Sequence, residues 1–183
     1  MEEKCIFCEI AAKRLPTNAV YEDEKVIAFL DIRPSNPGHT LVVPKKHYET
    51  LFDIPEEEVA HLMKVVKHVA KGIVESVHAD GFNILQNNNK AAYQLIPHMH
   101  FHVVPRFEND NLPLGNIRQG SYKDEQEMKD VAVKIRANVK QVKEKEADEK
   151  VETKEKNEKE IKPRSRRLKK DEAFMIRREI ELA

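Results

Sequence analysis

With 183 residues the chain has room for one ordinary domain, or for one domain with an extension. Its 32 basic and 32 acidic residues cancel to a formal net charge of +0, so bulk charge implies no affinity for nucleic acid or an acidic membrane. Its two cysteines, Cys5 and Cys8, lie too close in sequence to form a disulfide framework, and no window approaches the roughly 18 uninterrupted apolar residues of a membrane span.

The charge is unevenly placed. Residues 1–120 carry 13 Lys and Arg against 16 Asp and Glu, whereas residues 121–183 carry 19 against 16. So charged a tail has little apolar surface to bury, which places the compact domain in 1–120 and a helical or partly disordered extension in 121–183. The opening Met-Glu-Glu-Lys lacks the basic-then-apolar run of a signal peptide, so a reducing, cytoplasmic location is expected.

Taken in chain order, the sequence predicts a short helix around Cys5–Ala12. Ala19–Glu22 and Val26–Leu30 flank the turn residues Asp23–Lys25 and read as a hairpin. Arg33–Gly38, with two prolines and a glycine, is a loop; His39–Val43 is a strand that Pro44 ends. Asp53 offers an N-cap to a helix in which Val59, Leu62, Met63, Val66, Val69, Ile73, Val74 and Val77 recur at helical spacing. Phe82–Gln86 is a further strand, Asn87–Ala92 a polar loop, and His98–Val104 the last core strand. The fold class expected is α+β: a mainly antiparallel sheet of about five strands, covered on one face by one long helix, with a short N-terminal helix.

Beyond the core, Met128, Val131, Ile135, Val139 and Val142 form a narrow apolar stripe suited to a helix packed on the core or on a second copy; a homodimer is the expected assembly. Glu144–Glu160 reads as a solvated linker, followed by the basic cluster Pro163–Lys170 and an amphipathic end with Phe174, Ile176 and Ile180. Binding of nucleic acid through that cluster is disfavoured, because interleaved Lys and Glu nearby cancel most of the field.

The central signal is HMHFHVVPR, residues 98–106. Strand alternation puts His98, His100 and His102 on one face and Met99, Phe101 and Val103 on the other. An incidental polar face is the bland alternative, but three histidines in strict alternation sacrifice β-propensity without packing. A catalytic tri-histidine zinc site is a second alternative, disfavoured because neighbouring same-face residues splay in parallel. A neutral imidazole is a good nucleophile near pH 7, and attack on phosphorus needs a neutral nitrogen, a fixed tautomer and donors for the non-bridging oxygens. A histidine row, each ring oriented by a backbone carbonyl, supplies these without a metal at the phosphate.

This stretch resembles the histidine triad family, whose signature is His-x-His-x-His followed by two apolar residues. QNNNKAAYQLIP looks like that family's phosphate loop, and NPGHTLVVPKKH and AFLDIRP resemble its earlier strands. The resemblance implies hydrolysis at the α-phosphorus of a purine nucleotide conjugate, with adenosine the expected nucleoside. His100 would be the nucleophile, His102 would contact phosphoryl oxygens, and His98 and His39 would support them. Gln94 and Asn87 would bind near the phosphate; Phe29, Asp31 and Ile32 would line the nucleoside pocket, Asp31 accepting from ribose hydroxyls. Two residues depart from the family loop, which has glycine where this chain has Asn89 and Tyr93. Asn tolerates a left-handed backbone, a mild change. Tyr93 either alters the loop or narrows the pocket and adds a hydroxyl.

Cys5-x-x-Cys8 has zinc-knuckle spacing, a weak signal when alone. By the same resemblance His47 and His98 complete a structural zinc site of Cys5, Cys8, His47 and His98; two buried reduced cysteines are the alternative. His61, His68 and His78 read as surface residues. The competing functional class is a nucleotide-binding adaptor with weak catalysis, whose basic tail recruits a partner.

Overall fold

The computed structural model describes residues 5–112 and 120–139. The expected linker at 144–160, the basic cluster, Val142 and the amphipathic end lie outside the described residues. In chain order the elements are α1 (Ile6–Ala11), β1 (Ala19–Glu22), β2 (Val26–Leu30), β3 (Thr40–Pro44), α2 (Glu56–Val77), β4 (Gly81–Gln86), one turn of 3₁₀ helix (Lys90–Ala92) and β5 (Phe101–Arg106). A further helix, α3, occupies 125–139. No helix among the described residues is long and apolar enough to cross a membrane.

The five strands form one antiparallel sheet in the order β1-β2-β3-β5-β4. The hairpin turn closes as expected: the Asp23 carboxylate accepts from the backbone N–H of Lys25 and Val26, so the side chain stands in for a turn carbonyl. Two expected boundaries move. Asp53 does not cap α2; its carboxylate accepts from the N–H and hydroxyl of Thr50, and Pro55 stands at the helix entry. The last strand starts at Phe101 rather than His98, because the His98 N–H turns back onto the Ile96 carbonyl and the Met99 N–H leaves the sheet for the Tyr48 carbonyl.

Alternation sorts the sheet's side chains between two cores. Ala28, Leu30, Val42, Met99, Phe101 and Val103 face α2 and join Leu62, Val66, Val69 and Ile73 in the larger one. Ile27, Phe29, Leu41 and Val43 point the other way and are covered by Phe7 and Ile10 of α1. The sheet is therefore covered on both faces, not one, which explains why every residue of β2 and β3 is buried.

The apolar stripe of α3 resolves toward the core: Met128, Ala132, Ile135 and Val139 are buried in the larger cluster. Close approach of the two helices depends on Gly72 of α2, where an added Cβ would meet Val139 Cγ2 at 2.5 Å and its backbone nitrogen at 3.1 Å. Asn138 donates to the Ser76 hydroxyl, and Arg136 donates to the Ala19 carbonyl, tying α3 to both α2 and β1. The core thus draws on residues beyond 120. Of the three histidines expected at the surface, His78 is exposed and ends α2 in a left-handed conformation, while His61 and His68 are half-buried. His61 lies 2.9 Å from the Asp23 carboxylate and pins α2 to the hairpin turn.

Candidate active site and metal centre

Although only His102 lies within the ladder, facing Leu41 of β3 and Leu85 of β4, the alternation of faces persists upstream. Met99, Phe101 and Val103 pack into the α2-side core, so His98, His100 and His102 share the opposite side. His98 and His39 are 0% exposed, while His100 and His102 keep 5% and 9%. The first pair is sealed, and the second keeps a narrow exposed edge.

The hydrogen bonds fix the tautomers. His100 Nδ1 is 2.6 Å from the His98 carbonyl, an acceptor, so Nδ1 bears the proton and Nε2 keeps its lone pair. His39 Nδ1 accepts from the Ser35 N–H at 3.2 Å, so neutral His39 is protonated on Nε2. That nitrogen lies 3.0 Å from His102 Nδ1 and donates to it, leaving a proton on His102 Nε2. Carbonyls orient His98 (Pro44, 2.9 Å) and His100, as expected, but another imidazole orients His102. The His100 and His102 rings lie 4.8 Å apart, centroid to centroid. Burial holds His39 down to about 4 and His102 to about 2, and it lowers His100 as well, so this row is uncharged at neutral pH.

Asp31 lies just past the end of β2, with Oδ2 at 3.7 Å from His39 Nδ1 and Oδ1 accepting from the Arg33 N–H. Phe29 is buried in the α1-side core, whereas Ile32 is 75% exposed. Gln94 is buried and stitches the polar loop together: Oε1 accepts from the Asn89 N–H and Nε2 donates to the Glu49 carbonyl, each at 2.6 Å. Half-buried Asn87 begins this loop, its carbonyl accepting from Gln86.

The two glycine replacements keep the glycine backbone. Tyr93 has φ 64° and ψ 25°, and Asn89 has φ 66° and ψ 164°. The Tyr93 side chain is 82% exposed and its N–H donates to the Lys90 carbonyl, so its ring leaves the loop for solvent and that N–H is already used. Asn89 is less mild than expected. Its ψ lies outside the left-handed helical well that Asn tolerates, in a region occupied essentially by glycine.

Cys5 precedes α1, Cys8 lies on its first turn, His47 follows β3 and His98 precedes β5; their four ligand atoms lie within 4.8 Å of one another. His98 Nδ1 is 3.3 Å from Cys5 Sγ, 3.6 Å from Cys8 Sγ and 3.2 Å from His47 Nδ1, and Cys8 Sγ is 3.4 Å from His47 Nδ1. A tetrahedral zinc with two sulfur and two nitrogen ligands requires edges of about 3.3–3.8 Å. Because His98 Nε2 donates to Pro44, its Nδ1 presents a lone pair to this cluster. Burial and then Cys5 push the Cys8 thiol up to about 11, so two thiolates here call for a cation between them. The residues fit zinc, and four protein ligands leave no open coordination position.

Sequence reasoning missed Phe7. Buried within the Cys-x-x-Cys segment, its ring stands edge-on to Phe29, His98 and His100 at 5.7, 5.8 and 5.2 Å. Its placement between the two cysteines of the donor cluster was the available signal. Ser35 was also missed, because it acts through its backbone N–H, which carries no side-chain signature.

The profile of the HIT domain family matches residues 12–109. An uncharacterized HIT-like protein of Methanocaldococcus jannaschii is 49% identical over 106 residues, which cover 58% of this chain and 81% of that protein. An adenosine 5′-monophosphoramidase of Saccharomyces cerevisiae is 40% identical over 116 residues, covering 63% of this chain and 71% of the enzyme. Among solved structures, a Zn-bound histidine triad family protein from Mycobacterium smegmatis superposes with a TM-score of 0.69 at 39% identity, covering 77% of this chain and 96% of that one. With over half its length matched and the histidine row and donor cluster assembled as described, this chain belongs to the HIT domain family.

Proposed function

We propose that this protein hydrolyses a nucleotide conjugate at the α-phosphorus through a nucleotidyl-His100 intermediate, releasing a nucleoside monophosphate. The observation that carries this reading is the 2.6 Å bond from His100 Nδ1 to the His98 carbonyl, which leaves Nε2 as an uncharged nucleophile. In the first step a bond forms between Nε2 and phosphorus, and the bond from phosphorus to the leaving nitrogen or oxygen breaks. The leaving group departs with the electron pair and takes a proton from solvent. The imidazole's positive charge is shared through Nδ1–H with the His98 carbonyl. His102 Nε2–H, aimed by His39, donates to a non-bridging oxygen as charge builds there. Water then attacks phosphorus and gives up one proton to solvent, while the P–Nε2 bond breaks with its electron pair returning to Nε2, so neutral His100 is regenerated.

Asp31 accepts from ribose hydroxyls, Phe29 and Ile32 flank the nucleoside, and the loop held by Gln94, with Asn87, meets the phosphate. Adenosine is the nucleoside this reading favours, supported by the name of the yeast relative. Zinc at Cys5, Cys8, His47 and His98 supplies structure and no chemistry. A homodimer belongs to the same reading: β4 is a sheet edge whose Phe82 and Ile84 are 45% and 37% exposed, an apolar strip that a second copy would cover. The deciding experiment is a panel of adenosine phosphoramidate, diadenosine polyphosphate and an adenylated amino acid, with AMP release followed and the labelled intermediate trapped by quenching. Absence of AMP release from every member sinks the proposal.

A further inference from the structure

We propose that Tyr122, which lies outside the matched HIT domain, is a positioning residue for the nucleoside side of the site, acting through the loop that joins β2 to β3; this rests on the nucleotide-hydrolase reading above. The loop carries Asp31 at one end and His39 at the other, linked by the Asp31 N–H on the His39 carbonyl at 2.9 Å. It also supplies the Ser35 N–H that sets the His39 tautomer. Part of it is satisfied from within, the His39 N–H donating to the Asn36 carbonyl and the Thr40 hydroxyl to the Gly38 carbonyl, and Asn36 ties it to β5 and beyond by donating to the Pro105 carbonyl and to Asp110.

Two buried positions of the loop, Pro34 and Gly38, turn instead to residues 120–122. The Gly120 N–H donates to the Pro34 carbonyl at 2.9 Å, and the Gly38 N–H donates to the Tyr122 hydroxyl at 3.3 Å. The approach at Gly120 tolerates no side chain, since an added Cβ would lie 2.6 Å from the Pro34 oxygen. Tyr122 is itself packed against the larger core, and α3 begins three residues later. Core packing therefore fixes the hydroxyl, and the hydroxyl fixes the loop. Without it the Gly38 N–H loses the acceptor that Tyr122 gives it, and the loop is freer to shift at that point.

Tyr122→Phe removes only the acceptor, and Gly120→Ala only the clearance. Both are compared with wild type for AMP affinity, for KM and kcat on adenosine phosphoramidate, and for the ratio of activity on the ribose and 2′-deoxyribose forms. Both variants are expected to weaken AMP about tenfold, to raise KM more than they lower kcat, and to erode the preference for ribose, because Asp31 loses its placement. Val133→Ser, on the 60% exposed outer side of α3, is expected to change none of these. Faster amide exchange at Gly38 in Tyr122→Phe supports the same route, and that variant carries the test should Gly120→Ala fail to fold. Unchanged AMP affinity and ribose preference in folded Tyr122→Phe overturn the positioning role alone. A wild-type protein that binds no AMP and releases none from any conjugate overturns the hydrolase reading, and this one with it.

Discussion

His98 and His100 are joined by a bond between the main chain of one and the ring of the other: the His98 carbonyl accepts from His100 Nδ1 at 2.6 Å. The ring of His98 faces away, with Nδ1 turned to Cys5, Cys8 and His47. One residue therefore belongs to two centres, the donor cluster through its imidazole and the histidine row through its carbonyl.

If His100 is the nucleophile, His100→Ala should lower AMP release by at least about a thousandfold, while AMP binding stays measurable. Quench trapping of labelled nucleotide on the wild type, absent in the variant, checks the assignment. Retention of most of the activity would refute it.

Zinc, at one ion per chain, should appear by elemental analysis and be lost in Cys5→Ser. Loss of a structural ion also removes its contribution to folding, so both that variant and chelated wild type should melt several degrees lower. Equal melting temperatures with and without the ion would deny it a structural role.

The buried imidazoles set a direction for the pH dependence of stability. His39 and His102 titrate near 4 and 2 when folded, below the roughly 6.5 of an unfolded histidine, so between these values the unfolded chain binds protons that the folded chain refuses. Stability should be fully present above about 6.5 and decline as pH falls toward 4, by roughly 3 kcal/mol for His39 alone. Denaturant midpoints at pH 7 and pH 5 measure it, and a higher midpoint at pH 5 would contradict it.

At Gly72 two effects compete. Gly72→Ala gains about 1 kcal/mol of helix propensity, but overpacking against Val139 costs typically 1–3 kcal/mol. The contact includes the Val139 backbone nitrogen at 3.1 Å, which no rotamer change relieves, so overpacking should win and the variant should be less stable. Chemical denaturation decides the sign.

Tyr93 holds a left-handed backbone at a cost of about 1–2 kcal/mol that glycine avoids, although glycine loses more chain entropy on folding. Tyr93→Gly should therefore leave stability equal or raise it by up to about 1 kcal/mol, and loss of more than that would show the exposed ring to be packed in solution.

Much of the site was legible because its residues repeat at short periods: alternation put three histidines on one side, and Cys-x-x-Cys announced half of the four-residue donor cluster. Strand edges were less legible, since Met99 leaves the sheet to bond Tyr48, a long-range choice that periodicity does not encode. Asp53 was misassigned because a carboxylate serves a turn at Thr50 as readily as a helix end. The tie between Ser35 and His39 was invisible, being made by a main-chain group.

The burial of Ile135 and Val139 at 0% and 1% exposure changes where the chain may be cut. A deletion after residue 120, natural from charge alone, would strip α3 from the core and take the Tyr122 hydroxyl from Gly38 together with it, leaving only the Gly120 bond to Pro34. Such a fragment would lose activity by unravelling and would wrongly credit the missing segment with chemistry. A scissor placed past residue 139 spares both, and only then does dissection separate what the charged remainder does from what the core around α3 needs.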